Sequence, residues 1–182
     1  MKLLFNLILG AVAWTLVGCS NPSLSDYQQT TPMLELETFF NGELVAYGMV
    51  LDRSGKLTRR FNVDLSASWQ GNQGVIDEKF YFDDGEQTTR IWRLTKTAAN
   101  KYQGQADDVI GLASGETSGS ALYWQYDMTI NVDGTDYQVT LDDWMYLLDE
   151  NRLFNKTDIL KFGFKVGEIV LFIEKKAAKE PP

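Results

Sequence analysis

From Leu57 to Trp69 the chain alternates, broken only at Arg59. Leu57, Phe61, Val63, Leu65, Ala67 and Trp69 occupy one parity, and Thr58, Arg60, Asn62, Asp64, Ser66 and Ser68 the other. A period of two sends successive side chains to opposite faces of a strand, and no helix separates these two sets. The pattern recurs. Leu122, Trp124, Tyr126, Met128 and Ile130 alternate with Ala121, Tyr123, Gln125, Asp127 and Thr129, while Tyr137, Val139, Leu141, Met145 and Leu147 share one parity. Turn signals punctuate the runs: DRSGK at 52–56, QGNQG at 70–74, DDGE at 83–86, AANK at 98–101, VDGT at 132–135, LDENR at 148–152 and KVGE at 165–168. Asp-Gly and Asn/Gly pairs supply the positive φ of tight hairpins. Such spacing predicts an all-β, antiparallel up-and-down meander. Closing it removes its exposed edges, so a lipocalin-like (calycin) barrel is expected, with a two-sheet β-sandwich as the alternative. EIVLFIE, residues 168–174, is apolar on both parities and is expected to be covered outside by Leu34–Phe40.

Residues 1–18 read as a signal peptide of the lipoprotein kind. Lys2 precedes an apolar run that ends in Leu16-Val17-Gly18 before Cys19, the single cysteine of the chain. Small and branched residues before that thiol match a lipobox. Diacylglyceryl transfer to Cys19, with an acyl chain such as palmitate on its amine, would anchor the protein, since two or more chains hold where one binds only marginally. Ser20 in place of Asp favours the outer membrane, facing the periplasm. Residues 19–33 are rich in Ser, Gln, Pro and Thr and read as a lipidated tether, 34–174 as one β-barrel domain, and 175–182 as a frayed tail. The formal charge of −8 repels phosphate backbones, so nucleic acid is not an expected partner.

Four charges share the parity of the apolar set. Arg59 lies between Leu57 and Phe61, Glu78 between Ile76 and Phe80, and Asp143 between Leu141 and Met145, while Arg90 shares a face with Trp92 and Leu94. An unpaired charge in a barrel core costs several kcal/mol. Either Arg59, Glu78, Arg90 and Asp143 form an internal ion-pair network, or Arg59 and Arg90 hold the polar head of an amphipathic ligand whose tail is lined by Trp69, Trp92 and Trp124.

Other motifs carry less. Asp107, Asp108, Asp142, Asp143 and Asp149 could form a carboxylate site, but acids at strand ends also bond turn amides. NVDGTD lacks the remainder of a calcium loop, and GLASGETSG, residues 111–119, lacks the lysine of a phosphate loop and reads as a flexible turn. The chain has no histidine, which excludes Ser-His-Asp and Cys-His nucleophile systems and His-containing zinc sites. No metal, cofactor or enzymatic activity is expected.

The segments FFNGELVAYGMVLDRSGKLTRRF, DEKFYFDDGEQTTRIWRLTK, YQGQADDVIGLASGETSGSALYWQY and DDWMYLLDENRLFNKTDILKFGFKVGE, together with the lipobox, resemble an uncharacterised family of small Gram-negative bacterial lipoproteins, a domain-of-unknown-function family. The resemblance spans about Leu34 to Glu174 and implies an envelope location but no activity. The expectation is an envelope lipoprotein that binds a lipid or other amphipathic molecule in or at its barrel. A ligandless scaffold or assembly partner is the alternative, and a carboxylate-dependent hydrolase a second one.

Overall fold

The structure is a computed structural model and describes residues 22–132 and 134–177. Ten strands follow one another along the chain: β1 Gly42–Asp52, β2 Leu57–Gln70, β3 Gln73–Phe82, β4 Gln87–Ala98, β5 Lys101–Gln105, β6 Val109–Ser118, β7 Ala121–Val132, β8 Thr135–Asp149, β9 Arg152–Lys161 and β10 Phe164–Lys175. Each pairs antiparallel with its neighbour in sequence, and β10 returns to β1 to close the barrel. The closing seam runs from Leu44 opposite Lys175 to Asp52 opposite Gly167. Among the described residues no sheet edge is left open, which answers the problem that an isolated meander would have.

Alternation does what its period requires. Phe61, Val63, Leu65 and Ala67 of β2 are buried, as are Leu122 and Trp124 of β7 and Val139, Leu141 and Leu147 of β8. Burying each large apolar side chain contributes about 1.5–3 kcal/mol. Close approach is secured by bare backbone. A Cβ on Gly115 would stand 2.0 Å from Trp124 Cε3, and one on Gly74 would stand 2.5 Å from Trp69 Cε2. Leu36–Phe39 forms a single helical turn, α1, whose Leu36 and Phe39 are buried together with Leu34 and Phe40. Trp69 Nε1 donates to the Phe40 carbonyl at 3.0 Å, and Lys175 Nζ donates to the Thr38 carbonyl at 3.0 Å. These bonds seat α1 across the end of the barrel where β2 and β10 finish. Among the described residues no helix lies across the other end, the mouth, where the turns after β1, β3, β5, β7 and β9 gather.

Several expectations change. Leu34–Phe40 stops the end of the barrel and does not cover β10 from outside; Phe172 on the outer side of β10 packs instead against Phe154 at 5.2 Å. Residues 22–33, read as a free tether, lie on the barrel. Leu24–Tyr27 forms a 3-10 turn, with the Tyr27 ring 6.0 Å from Trp144 and 5.5 Å from Tyr146. Ser120 N then donates to Thr30 Oγ1 at 2.8 Å, and Leu34 N to the Gly119 carbonyl at 2.8 Å. GLASGETSG is not a turn but most of β6, and its Gly115 makes room for Trp124. KVGE lies within β10 at a bulge, and the true turn is Phe162-Gly163, both residues at positive φ. At the other terminus β10 runs to Lys175, and Lys176 N still donates to the Glu43 carbonyl. Cys19, the lipobox and the signal segment lie outside the described residues.

Candidate functional site

Between α1 and the mouth the barrel encloses a cavity of about 140 Å³. Its apolar wall includes Phe61, Ile76, Phe80, Trp92, Trp124 and Met145. Trp92 meets Trp124 edge-on at 5.8 Å and Tyr126 edge-on at 5.2 Å, the arrangement that aromatic quadrupoles favour. Three of the four inward charges singled out by parity reach this space: Glu78, Arg90 and Asp143. Tyr126, Asn155 and Thr157 complete its polar side.

The register explains the grouping. Glu78 stands directly opposite Arg90, and Asp143 lies opposite Trp124 on one side and Thr157 on the other. Asp143 is only 6% exposed. Its Oδ1 accepts from Asn155 Nδ2 and, at 3.1 Å, from Thr157 Oγ1. Arg90 turns to the mouth and grips Asp108 in the turn after β5, with Nε 3.0 Å from both carboxylate oxygens and Nη2 2.6 Å from Oδ2. Glu78 has no such partner. Its Oε2 is shielded from solvent and makes no hydrogen bond.

Burial therefore dominates the two inner acids. It pushes Glu78 up to about 7, opposed by Arg90 and reinforced by the nearby Asp108, Asp143 and Asp77. Asp143 is likewise pushed up to about 7 by burial, although Asn155, Thr157 and Arg90 oppose the shift. Arg90 also moves up, which for a base favours the charged form. Burial acts against its charge, but Tyr126, Glu78 and Asp108 outweigh that and raise it. Near neutral pH the cavity thus holds acids balanced between two protonation states beside a fixed cation.

The remaining candidates are elsewhere. Arg59 sits on the rim of the mouth, where Nη2 reaches Asp84 Oδ2 at 2.7 Å and Glu86 Oε2 at 2.5 Å, and its guanidinium lies 3.5 Å over the Phe82 ring. It belongs neither to the inner cluster nor to the cavity wall. Trp69 lies under α1 and packs against Tyr102 at 6.3 Å, whereas Trp92 and Trp124 do line the cavity. The expected internal network of two arginines with two acids is replaced by two separate pairings, each with turn residues at the mouth. The five aspartates are also dispersed. Asp142 faces outward to Tyr123 and Gln125, and Asp149 pairs with Arg152 in a turn. Among the described residues no cluster of His, Cys, Asp and Glu suits a metal ion. Asn155 and Thr157 were not expected, although they share the parity of the buried Leu153, which would have revealed them.

The mouth has two unlike sides. Asp83, Asp84, Glu86, Asp107 and Asp108 gather at the turns after β3 and β5. The turn after β9 instead presents Phe162 and Phe164, 88% and 77% exposed, with Lys161 Nζ 4.9 Å over the Phe162 ring.

A family model described as "Protein of unknown function (DUF3833)" matches residues 13–175. Comparison with curated proteins returns no match. Among solved structures, the chain is similar to a protein of unknown function from the DUF3598 family of Nostoc punctiforme, with a TM-score of 0.55 and 11% identity. The match covers 87% of this chain and 53% of that one, so the chain spans about half the length of the structure it resembles. At that identity the likeness extends to the fold alone.

Proposed function

Because the chain belongs to DUF3833, a family of unknown function, its role has to be read from its own barrel, and we propose that this barrel binds an amphipathic molecule at the envelope membrane. The observation that carries this reading is the composition of the cavity wall: indole, phenyl and aliphatic side chains on most sides, and Glu78, Arg90, Asp143, Asn155 and Thr157 converging on one. Few convergent polar groups in an apolar pocket are the usual form of a small-molecule site. A barrel interior meant only for stability gains nothing from an acid without a partner.

The anchor is the second part of the proposal. Lipidation at Cys19, in the outer membrane and facing the periplasm, would hold the barrel beside a reservoir of amphiphiles. The aromatic and basic side of the mouth supports exchange with that surface, because Phe at an interface buries its ring while Lys reaches the headgroups. A ligandless scaffold is the competing reading, and the small cavity favours it, since drug-sized pockets run to about 300–1,000 Å³. Native mass spectrometry of the protein purified in mild detergent separates the two. A co-purifying amphiphile that is lost on solvent extraction is the expected result; a bare chain from every preparation would favour the scaffold. For the anchor, Cys19→Ser is expected to release the protein from membranes, and continued membrane association would contradict lipidation.

A further inference from the structure

Which polar head would this cavity accept? Parity pointed to arginine, and hence to an anionic head such as a carboxylate. The structure reverses that polarity. Arg59 Nη2 is engaged at the rim by Asp84 and Glu86, and its Nε, although without a hydrogen bond, belongs to a residue outside the cavity wall. The charge of Arg90 is matched by the two-pronged grip of Asp108. Among the residues lining the cavity, the buried side-chain atom left without a hydrogen-bond partner is an acceptor, Glu78 Oε2.

We propose that the barrel's ligand carries a positively charged, hydrogen-bond-donating head, an amphiphilic amine in chemical class, seated against Glu78 with Asp143 beside it. This rests on the binding reading above and specifies its ligand. The charge count supports it. Glu78, Asp108 and Asp143 surround one guanidinium, so an incoming carboxylate would add a fourth acid to a desolvated site, whereas an ammonium group would offset the excess. An ammonium also brings three donors, enough for Glu78 Oε2 and one neighbour. Size sets a further limit. A cavity of about 140 Å³ corresponds to roughly five water molecules. That accommodates the head and a short alkyl segment against Trp92 and Trp124, with any longer chain leading toward the mouth.

The titratable and charged groups facing Glu78 are Arg90 on β4, Tyr126 on β7, Asp143 on β8, Asp108 in the turn after β5 and Asp77 on its own strand. Cavity residues contributed by β2 and β9 are uncharged. With Glu78 held near 7, an ammonium ligand must bind more tightly as the acid ionises, and a carboxylate ligand more weakly.

Titration calorimetry with hexylamine and hexanoate, each at pH 6 and pH 8, tests this on the folded barrel and on Glu78→Gln. Hexylamine is expected to bind about tenfold more tightly at pH 8 than at pH 6, and Glu78→Gln to lose tenfold or more at pH 8 and most of the pH dependence. Asp143→Asn, which keeps an acceptor for Asn155 and Thr157, is expected to lose less. Hexanoate binding more tightly than hexylamine, or hexylamine binding that Glu78→Gln leaves intact, overturns the amine assignment while leaving the binding reading in place. If neither probe binds and no amphiphile co-purifies, both fail.

Discussion

The two ends of this barrel are built to different standards. Among the described residues, no buried side-chain polar atom at the closed end lacks a hydrogen-bond partner. Glu37 on α1 accepts from Lys96 Nζ and, at 2.8 Å, from the Tyr102 hydroxyl, while Trp69 caps the Phe40 carbonyl. Burial alone would raise Glu37, yet its bonds to Lys96 and Tyr102 lower it. Toward the mouth, Glu78 is without a bond and is raised, Asp143 is raised despite two bonds, and Phe80, Tyr126, Met145 and Ile169 are only partly buried. The same fold handles acids in both places. The difference is that one end uses its polar contacts for closure, while toward the mouth Glu78 Oε2 in the cavity wall and Arg59 Nε at the rim are left unpaired.

That contrast has measurable consequences. The largest falls on the waist that both ends share. Trp124→Ala removes an indole packed against the bare backbone of Gly104 and Gly115, and is expected to lower unfolding free energy by about 3–5 kcal/mol in denaturant titration. Next comes the cavity, with the opposite sign. Glu78 and Asp143 hold their protons up to about pH 7 when folded, whereas the unfolded chain releases them near 4.5 and 3.8. Their contribution to stability is therefore fully present below about pH 4, falls as pH rises toward 7, and levels off above it. The loss comes to about 3 kcal/mol for Glu78 and about 4 kcal/mol for Asp143. Glu78→Gln should accordingly be more stable than the parent by about 2–3 kcal/mol at pH 8 and nearly equal to it at pH 4. A parallel pH profile for the two proteins would erase the distinction between the ends.

At the closed end, Glu37→Ala strands the Tyr102 hydroxyl and Lys96 and is expected to cost about 1–3 kcal/mol. The smallest effect belongs to the rim. Arg59 pairs with two well-exposed acids, so Arg59→Met is expected to cost about 1 kcal/mol or less and to leave ligand retention unchanged. A large loss there would extend the inner cluster outward to the rim.

Period-two alternation made the strands and their inward faces legible, because a strand has no other way to sort its side chains. It made Glu78, Arg90 and Asp143 legible as interior groups for the same reason. Parity carries no information on height along the barrel, and so Arg59, inward by count, escapes at the rim. Nor does it carry partners: Arg90 meets Asp108 only because the sheet's curvature brings the turn after β5 to it. Turn chemistry misled where residues depart from their usual places. Phe162 stands at φ 52, where Asn would be expected, and hid the turn after β9. Gly115 is in β6 for the room it leaves to Trp124, not for a turn.

The central claim is that Glu78 stands in the cavity as an unmatched acceptor. Carbon-detected NMR titration of its carboxyl group addresses this directly, with Glu78→Gln to assign the signal. A midpoint near 7 that moves well down when hexylamine is added is the predicted result. A midpoint at the ordinary glutamate value, unmoved by the amine, would contradict it.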